Sequence, residues 1–336
     1  MKCCANCFGD RSLERDIIPS LSDEVGVCSY CETEGIQLVL PTHLAEHFAP
    51  LVSTYEADPA GKLLVEWMKS DWGLFDHPKM DVPGAKSLLG DIFDNGELAR
   101  QKFSPSTRYR SGGLDRWEKL RHELMYTNRY FPDENLDGDR LESLLSQLRA
   151  DHLPAVWYRA RLQQDEVMYP IEKMGAPPNR VTSHGRANPP GIPYLYLGST
   201  EETALSEVRP HTGELACVAD FQIIPNLKMV DLRDPKKLIS PFVFGDEDQI
   251  GAMRNDIPFL ERLGQELTRP VLPQGAAIDY VPSQYLCEFI KKAGYDGVIY
   301  RSSVSNGMNL ALFQPDKALP GAVRQRKVSK VEITIE

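Results

Sequence analysis

Hydrophobic residues follow two different periods along the chain. From His43 to about residue 150 they recur at the spacing of amphipathic helices, as in Leu63, Leu64 and Trp67, and strand-like alternation is scarce. This part predicts roughly five or six helices. From residue 151 on, short apolar runs alternate with loops rich in proline and glycine. These runs predict strands at 155–158, 194–197, 216–224, 228–232, 297–300 and 310–313.

Two or three helices are predicted among these strands, and two of them have clear end signals. One covers 284–293 and stops at Gly294, because glycine commonly ends helices. The other begins after Ser199, which has Glu202 three residues later as in a capping box, and it ends at Pro210. Strands that alternate with a few helices predict an α+β domain built on a mixed sheet.

Composition narrows the class of protein. The chain has 336 residues, of which 42% are hydrophobic and 26% charged, as in soluble globular proteins. Its net charge of −10 argues against a general nucleic-acid binder. The sequence contains no apolar run of about 18 residues, so it predicts no membrane-spanning helix. The first residues contain no apolar signal segment, so we expect a cytoplasmic protein.

Cysteines cluster at the beginning of the chain. Cys4 and Cys7 form one C-x-x-C pair, Cys28 and Cys31 form a second, and 20 residues lie between the pairs. This spacing is typical of a structural zinc site, in which four thiolates surround the ion and leave no position for chemistry. Cys3 could replace Cys4 as a ligand, and a redox disulfide is the alternative to zinc.

These patterns divide the chain into three segments. We expect a small zinc-binding module at 1–40, a helical domain at 41–150 and a larger α+β domain at 151–336. Within the helical segment, Arg116 and His122 resemble the Arg-x5-His pair of HEPN ribonucleases. The alternative is an amphipathic helix with an exposed basic face. The acidic composition of the chain favours this alternative over an RNA-binding site.

Residues of the last segment resemble those of the RES domain, a family named for its Arg, Glu and Ser. The order and spacing of the matching residues carry this resemblance, and the front half is similar to the cysteine-rich, helical region ahead of some RES domains. The matching residues are Arg159, Gly185, Arg186, Tyr196, Glu207, Val298 to Ser303, Asn309 and Phe313.

The resemblance implies a fold akin to ADP-ribosyltransferases and an enzyme that destroys NAD+. Such enzymes cleave the nicotinamide–ribose bond with inorganic phosphate or with water, and many are toxins restrained by an antitoxin protein. NAD+ is then a substrate, in agreement with the lack of a Gly-x-Gly-x-x-Gly motif after any predicted strand.

The resemblance also implies roles for individual residues. Glu207 would stabilise the oxocarbenium ion left on the ribose, as a carboxylate does in glycoside hydrolysis. Arg159 and Arg186 would bind the pyrophosphate, and Arg186 could instead hold the incoming phosphate. Tyr196 would stack on the nicotinamide ring.

Four further residues complete the candidate site. Ser302 or Ser303 would hydrogen-bond the ribose or the nicotinamide, and Thr203 and Arg209 would support Glu207 from its own helix. The stretch 231–274 falls outside the family pattern and could form a lid or a partner surface.

Other functions remain open at this level. The same site could transfer ADP-ribose to a protein, or the zinc module and the helices could bind a partner beside an inert RES-like domain. The oligomeric state is open between a monomer and a homo-oligomer.

Overall fold

The computed structural model describes residues 1–332. Its helices are α1 (Ile18–Leu21), α2 (Ala45–Val52), α3 (Leu64–Trp72), α4 (Val82–Ile92), α5 (Gly113–Tyr126), α6 (Gly138–Gln147), α7 (Glu201–Glu207), α8 (Pro235–Leu238), α9 (Glu247–Thr268), α10 (Ala276–Asp279) and α11 (Val281–Lys292). Its strands are β1 (Glu24–Gly26), β2 (Ile36–Leu38), β3 (Tyr55–Leu63), β4 (Lys102–Pro105), β5 (Val156–Leu162), β6 (Leu195–Gly198), β7 (Leu215–Ile223), β8 (Met229–Asp231), β9 (Gly297–Arg301), β10 (Met308–Leu312) and β11 (Ala318–Lys327).

The chain forms two compact units. The first contains residues 1–114 and 235–259, and the second contains residues 115–234 and the chain from residue 260 onward. These boundaries are not those of the three expected segments, whose independence as domains stays a prediction.

The first unit contains a strand pair within the segment predicted to be helical. Strands β3 and β4 pair antiparallel, while the same segment, 41–150, also supplies helices α2 to α6. Strand β3 is mostly polar and exposed, so it carries no apolar alternation for the sequence to show. A Cβ atom at Gly61 would lie 2.0 Å from the Phe103 carbonyl oxygen, so glycine allows the close approach of the two strands.

The second unit is built on one sheet of seven strands. Their order is β11-β7-β5-β6-β10-β9-β8, and every neighbouring pair is antiparallel except β8 with β9. The α+β prediction is confirmed, and so are the six predicted strands. Strand β11 was missed because Pro320 and Gly321 interrupt its pattern. It lies at the edge of the sheet, where a proline costs no ladder hydrogen bond.

Strand β6 leads directly into helix α7. A Cβ atom at Gly198 would lie 2.7 Å from the Ala204 nitrogen, so glycine lets the helix pack closely on the end of the strand. The predicted cap is wrong by one residue: Thr200, not Ser199, accepts a hydrogen bond from the Thr203 N–H. The Ser199 hydroxyl instead accepts from the Met308 N–H, because neighbouring strand β10 lies within reach.

The remaining predicted helix is confirmed. It corresponds to α11, which is followed by Gly294 in the left-handed region at a φ of 85°. Helix α7 ends at Glu207, somewhat before the predicted Pro210, and Arg209 adopts a φ of 49°. This backbone conformation turns the chain out of the helix immediately after Glu207.

Candidate active site

A cleft of about 430 Å³ opens in the second unit where β5, β6 and α7 meet. Six of the eight predicted active-site residues line it. They are Arg159, Arg186, Tyr196, Glu207, Arg209 and Ser303. Residues far apart in the chain therefore share one cavity.

Glu207 is oriented by two side chains from other elements. Its Oε1 atom accepts hydrogen bonds from Ser302 Oγ at 2.7 Å and from Asn309 Nδ2 at 2.6 Å. Its Oε2 atom has no hydrogen-bond partner within residues 1–332. One carboxylate oxygen thus fixes the rotamer, while the other is free to face a ligand in the cleft.

The two candidate serines occupy different positions. Ser302 is buried, and its hydroxyl also accepts from the N–H groups of Val304 and Ser305, so it orders the loop that holds Glu207. Ser303 lines the cleft itself. Ser302 is therefore suited to position Glu207, and Ser303 to contact a bound molecule.

Thr203 is buried outside the cleft lining. Its hydroxyl contacts Thr200 Oγ1 at 2.9 Å and accepts from Ser305 Oγ at 3.2 Å. A Cβ atom at Gly307 would lie 2.0 Å from Thr203 Oγ1, so the Ser302–Gly307 loop packs closely against α7. Thr203 thus supports the loop and does not reach the predicted substrate position.

Arg159 points a partly unpaired guanidinium into the cleft. Its NH1 group donates to the Tyr196 carbonyl oxygen at 3.1 Å, whereas its buried Nε has no partner. Burial, together with the nearby positive charge of Arg161, lowers the pKa of Arg159 to about 10. A buried cation without an acid partner is costly, and an anionic ligand would offset that cost.

The hydroxyl group of Tyr196 uses its hydrogen-bonding capacity within the protein and has none left for a ligand. The N–H groups of Ala187 and Asn188 donate to its oxygen, and the hydroxyl donates to Asn188 Oδ1 at 2.7 Å. Burial raises its pKa above the ordinary value. Only the ring remains available to a ligand, and its stacking role stays a prediction.

Arg186 is held in place from two sides. Its NH1 group donates to the Arg269 carbonyl oxygen at 2.7 Å, and its guanidinium lies 5.3 Å from the centre of the Tyr280 ring. The remaining nitrogens of a planar guanidinium suit a phosphate oxygen in the cleft.

A family model now bears on the whole second half of the chain. The model of the RES domain matches residues 156–334. The chain belongs to the RES domain family. No match is found among curated proteins.

This RES domain protein is also similar to a solved structure. It is described as the crystal structure of the M. tuberculosis MbcT-MbcA toxin-antitoxin complex. The two chains are 13% identical, the match covers 58% of this chain and 94% of that chain, and the TM-score is 0.35. This likeness is too weak to support an argument about fold or function.

Sequence reasoning assigned no role to three residues of the RES domain cleft, Asn309, Tyr280 and Tyr300. Asn309 was noted as part of the resemblance, but nothing in its local sequence predicts a contact with Glu207. It lies opposite Gly198 in the β10–β6 pair, at the end from which α7 begins. Tyr280 and Tyr300 also line the cleft, and burial raises the pKa of Tyr300 well above its ordinary value.

The cysteine cluster lies in the first unit, and the structure assigns its register. The Sγ atoms of Cys4, Cys7, Cys28 and Cys31 are buried and all lie within 4.8 Å of one another. Cys3 is outside the cluster, and its thiol donates to the Val39 carbonyl oxygen. Cys4, not Cys3, is therefore the fourth member.

The geometry of the cluster fits a metal ion. The sulfur pairs Cys4–Cys31 and Cys7–Cys28 are each 3.4 Å apart, and none of the four forms a disulfide. Thiolates around a tetrahedral zinc ion, at about 2.3 Å from it, are separated by about 3.8 Å. Four buried thiolates would need a cation to balance their charge, and a zinc ion would supply it.

Arg116 and His122, the ribonuclease-like pair, are both exposed on α5. They are six positions apart, which places them about 240° apart around a helix axis, so they do not share a face. Neither residue lines the cleft. The centre of the His122 ring lies 5.2 Å from the centre of the Tyr126 ring. The arrangement is that of an ordinary exposed helix surface.

Among residues 1–332, no helix combines the length and the apolar character needed to cross a membrane.

Proposed function

We propose that this RES domain protein cleaves the nicotinamide–ribose bond of NAD+. The observation that carries the proposal is the carboxylate of Glu207, which is oriented through one oxygen and open through the other in a cleft lined by three arginines. Membership of the RES family supports the choice of NAD+ as substrate.

Cleavage of the nicotinamide–ribose bond requires few catalytic groups from the protein. When the bond between the ribose anomeric carbon and nicotinamide breaks, the electron pair leaves on the nicotinamide nitrogen and neutralises its positive charge. No general acid is needed, but the ribose becomes an oxocarbenium ion. The negative charge of Glu207, preorganised by Ser302 and Asn309, stabilises that ion.

A nucleophile then completes the reaction. An oxygen of inorganic phosphate would form the new bond to give ADP-ribose 1″-phosphate, whereas water would give ADP-ribose and a released proton. A side chain of another protein would give an ADP-ribosylated product.

Product analysis tests the proposal and separates these routes. Purified protein is incubated with NAD+, with and without inorganic phosphate, and the products are resolved by chromatography. Nicotinamide that appears only with phosphate indicates phosphorolysis, and phosphate-independent release indicates hydrolysis. Label from NAD+ on macromolecules would indicate transfer, and intact NAD+ in all conditions would contradict the proposal and favour a binding module.

Arg159→Met should impair substrate binding without destabilising the protein. Losing a charge-assisted hydrogen bond to the pyrophosphate should raise KM for NAD+ about tenfold or more. The folded protein should be about as stable as wild type, because the variant removes a half-buried cation whose Nε has no partner and loses only one hydrogen bond, to the Tyr196 carbonyl oxygen. Steady-state kinetics and thermal unfolding measure the two effects, and a lower Tm with an unchanged KM would contradict this role.

Ser302→Ala and Ser303→Ala should have different kinetic effects. Without Ser302, Glu207 loses one of its two orienting hydrogen bonds, so kcat should fall about tenfold. Ser303→Ala should raise KM and leave kcat nearly unchanged, because Ser303 lines the cleft without contacting Glu207. The reverse pattern would show that Ser303 is the serine that assists Glu207.

The wider biological role is proposed on the family resemblance alone. We propose a toxin that acts in the cytoplasm, where NAD+ is available, and that an antitoxin protein restrains. The four cysteines of the first unit would hold a structural zinc ion that supplies no step of the reaction.

A further inference from the structure

One wall of the cleft comes from residues 271–280, which the sequence alone did not connect with the site although the family model spans them. Val271, Pro273 and Tyr280 line the cleft opposite the sheet residues. Two of the three belong to the stretch 231–274, for which the sequence predicted a lid or a partner surface. The structure places this part of the stretch beside the predicted substrate site.

Arg269 contacts both ends of this wall. Its NH2 group donates to the Asp279 carbonyl oxygen at 2.7 Å, which ties residue 269 to the residue before Tyr280. Its own carbonyl oxygen accepts from Arg186 NH1 at 2.7 Å, and Arg186 in turn lies over the Tyr280 ring. A single residue thus closes the segment 270–280 and holds an arginine of the site.

Arg269 also lies beside a buried carboxylate, with which it forms an ion pair but no hydrogen bond. The Glu266 side chain is completely buried, and its Oε2 atom lies 3.3 Å from Arg269 Nε. Its Oε1 atom contacts Arg121 Nε at 2.8 Å and Arg262 NH1 at 2.7 Å. The charge of Glu266 attracts the Arg269 guanidinium, and the hydrogen bond to the Asp279 carbonyl oxygen sets its direction.

We propose that Arg269 is a positioning residue for substrate binding. Through its carbonyl oxygen and its guanidinium it holds Arg186 and Tyr280 in the geometry that receives the dinucleotide. This inference rests on the proposed function for the identity of the substrate. Because Arg269 does not contact Glu207, it should affect the binding of NAD+ and not the bond-breaking step.

Arg269→Lys and Arg262→Lys form a matched pair of variants. Both leave a cation beside Glu266, but only Arg269 reaches the wall of the cleft. We expect Arg269→Lys to raise KM for NAD+ about tenfold and to keep kcat within about threefold of wild type. Arg262→Lys should change neither constant. An unchanged KM in Arg269→Lys, or an equal rise in Arg262→Lys, overturns the proposal.

Hydrogen–deuterium exchange tests the positioning without relying on turnover. Peptides that cover 270–280 and 185–187 should exchange faster in Arg269→Lys than in wild type, and at the wild-type rate in Arg262→Lys. If wild type releases no nicotinamide, the proposed function fails while this measurement still decides the positioning role. Equal exchange in Arg269→Lys and wild type overturns that role.

Discussion

Glu207→Gln should release nicotinamide from NAD+ about 10²–10³ times more slowly than wild type, a loss of about 2.7–4 kcal/mol of transition-state stabilisation. Glutamine has nearly the shape of glutamate, and its amide oxygen can still accept from Ser302 and Asn309. The substitution therefore removes the negative charge and preserves the packing. Measured kcat should fall, while KM and Tm change little, because the oxocarbenium charge develops only in the transition state.

Glu202→Gln is the matched control for this prediction. Glu202 is an exposed carboxylate on the same helix, α7, and it does not line the cleft. Its variant should retain wild-type kinetics. A Glu207→Gln protein that keeps its rate within about threefold would show that the carboxylate charge does not assist bond cleavage.

Cys28→Ser should abolish stoichiometric zinc binding and destabilise the first unit by at least about 3 kcal/mol. Complete structural zinc sites contribute about 10–16 kcal/mol in zinc-finger peptides, and the loss of one thiolate removes a substantial part of that. The four sulfurs are buried, so the remaining three thiols would also lose their common partner. Metal analysis of the purified protein and urea unfolding measure the two effects, and a chelator should reproduce them in wild type.

Cys3→Ser separates the zinc hypothesis from a general effect of cysteine loss. Cys3 is as buried as the cluster but donates its thiol proton to the Val39 carbonyl oxygen, a bond that serine can also make. We expect this variant to bind one zinc ion per chain and to unfold nearly as wild type does. Loss of zinc from Cys3→Ser, with retention in Cys4→Ser, would contradict the register of the cluster.

Six of the seven strands in the sheet of the second unit could be predicted, because each has a local apolar pattern, whereas β11 has none. β7 begins with the apolar run 215–219, β9 contains the apolar run 297–300, and both runs are mostly buried in the sheet. β3 could not be found in this way, because its residues are polar and exposed and its partner β4 lies about 40 residues further along. Where a strand depends on its partner and not on a buried face, its own sequence carries little signal.

The site was predictable in its main residues but not in their contacts. The spacing of Arg159, Arg186, Tyr196 and Glu207 indicated one site, and the structure brings all four to one cleft. The choice between Ser302 and Ser303 needed the loop conformation, which buries one hydroxyl against Glu207 and turns the other toward the cleft. The different roles of these two adjacent serines can be assigned only once the path of the backbone is known.

The sequence by itself determined the α+β class, the six strands, the pairs of cysteines and the membership of the carboxylate and the arginines in one family pattern. Each of these is a matter of residue type, period or spacing along the chain. Only the tertiary structure showed that Asn309 donates to Glu207, that Arg269 donates to the Asp279 carbonyl oxygen beside the cleft and that Cys4, not Cys3, completes the cluster. Those contacts join residues brought together by strand register and loop packing, so no local pattern could indicate them.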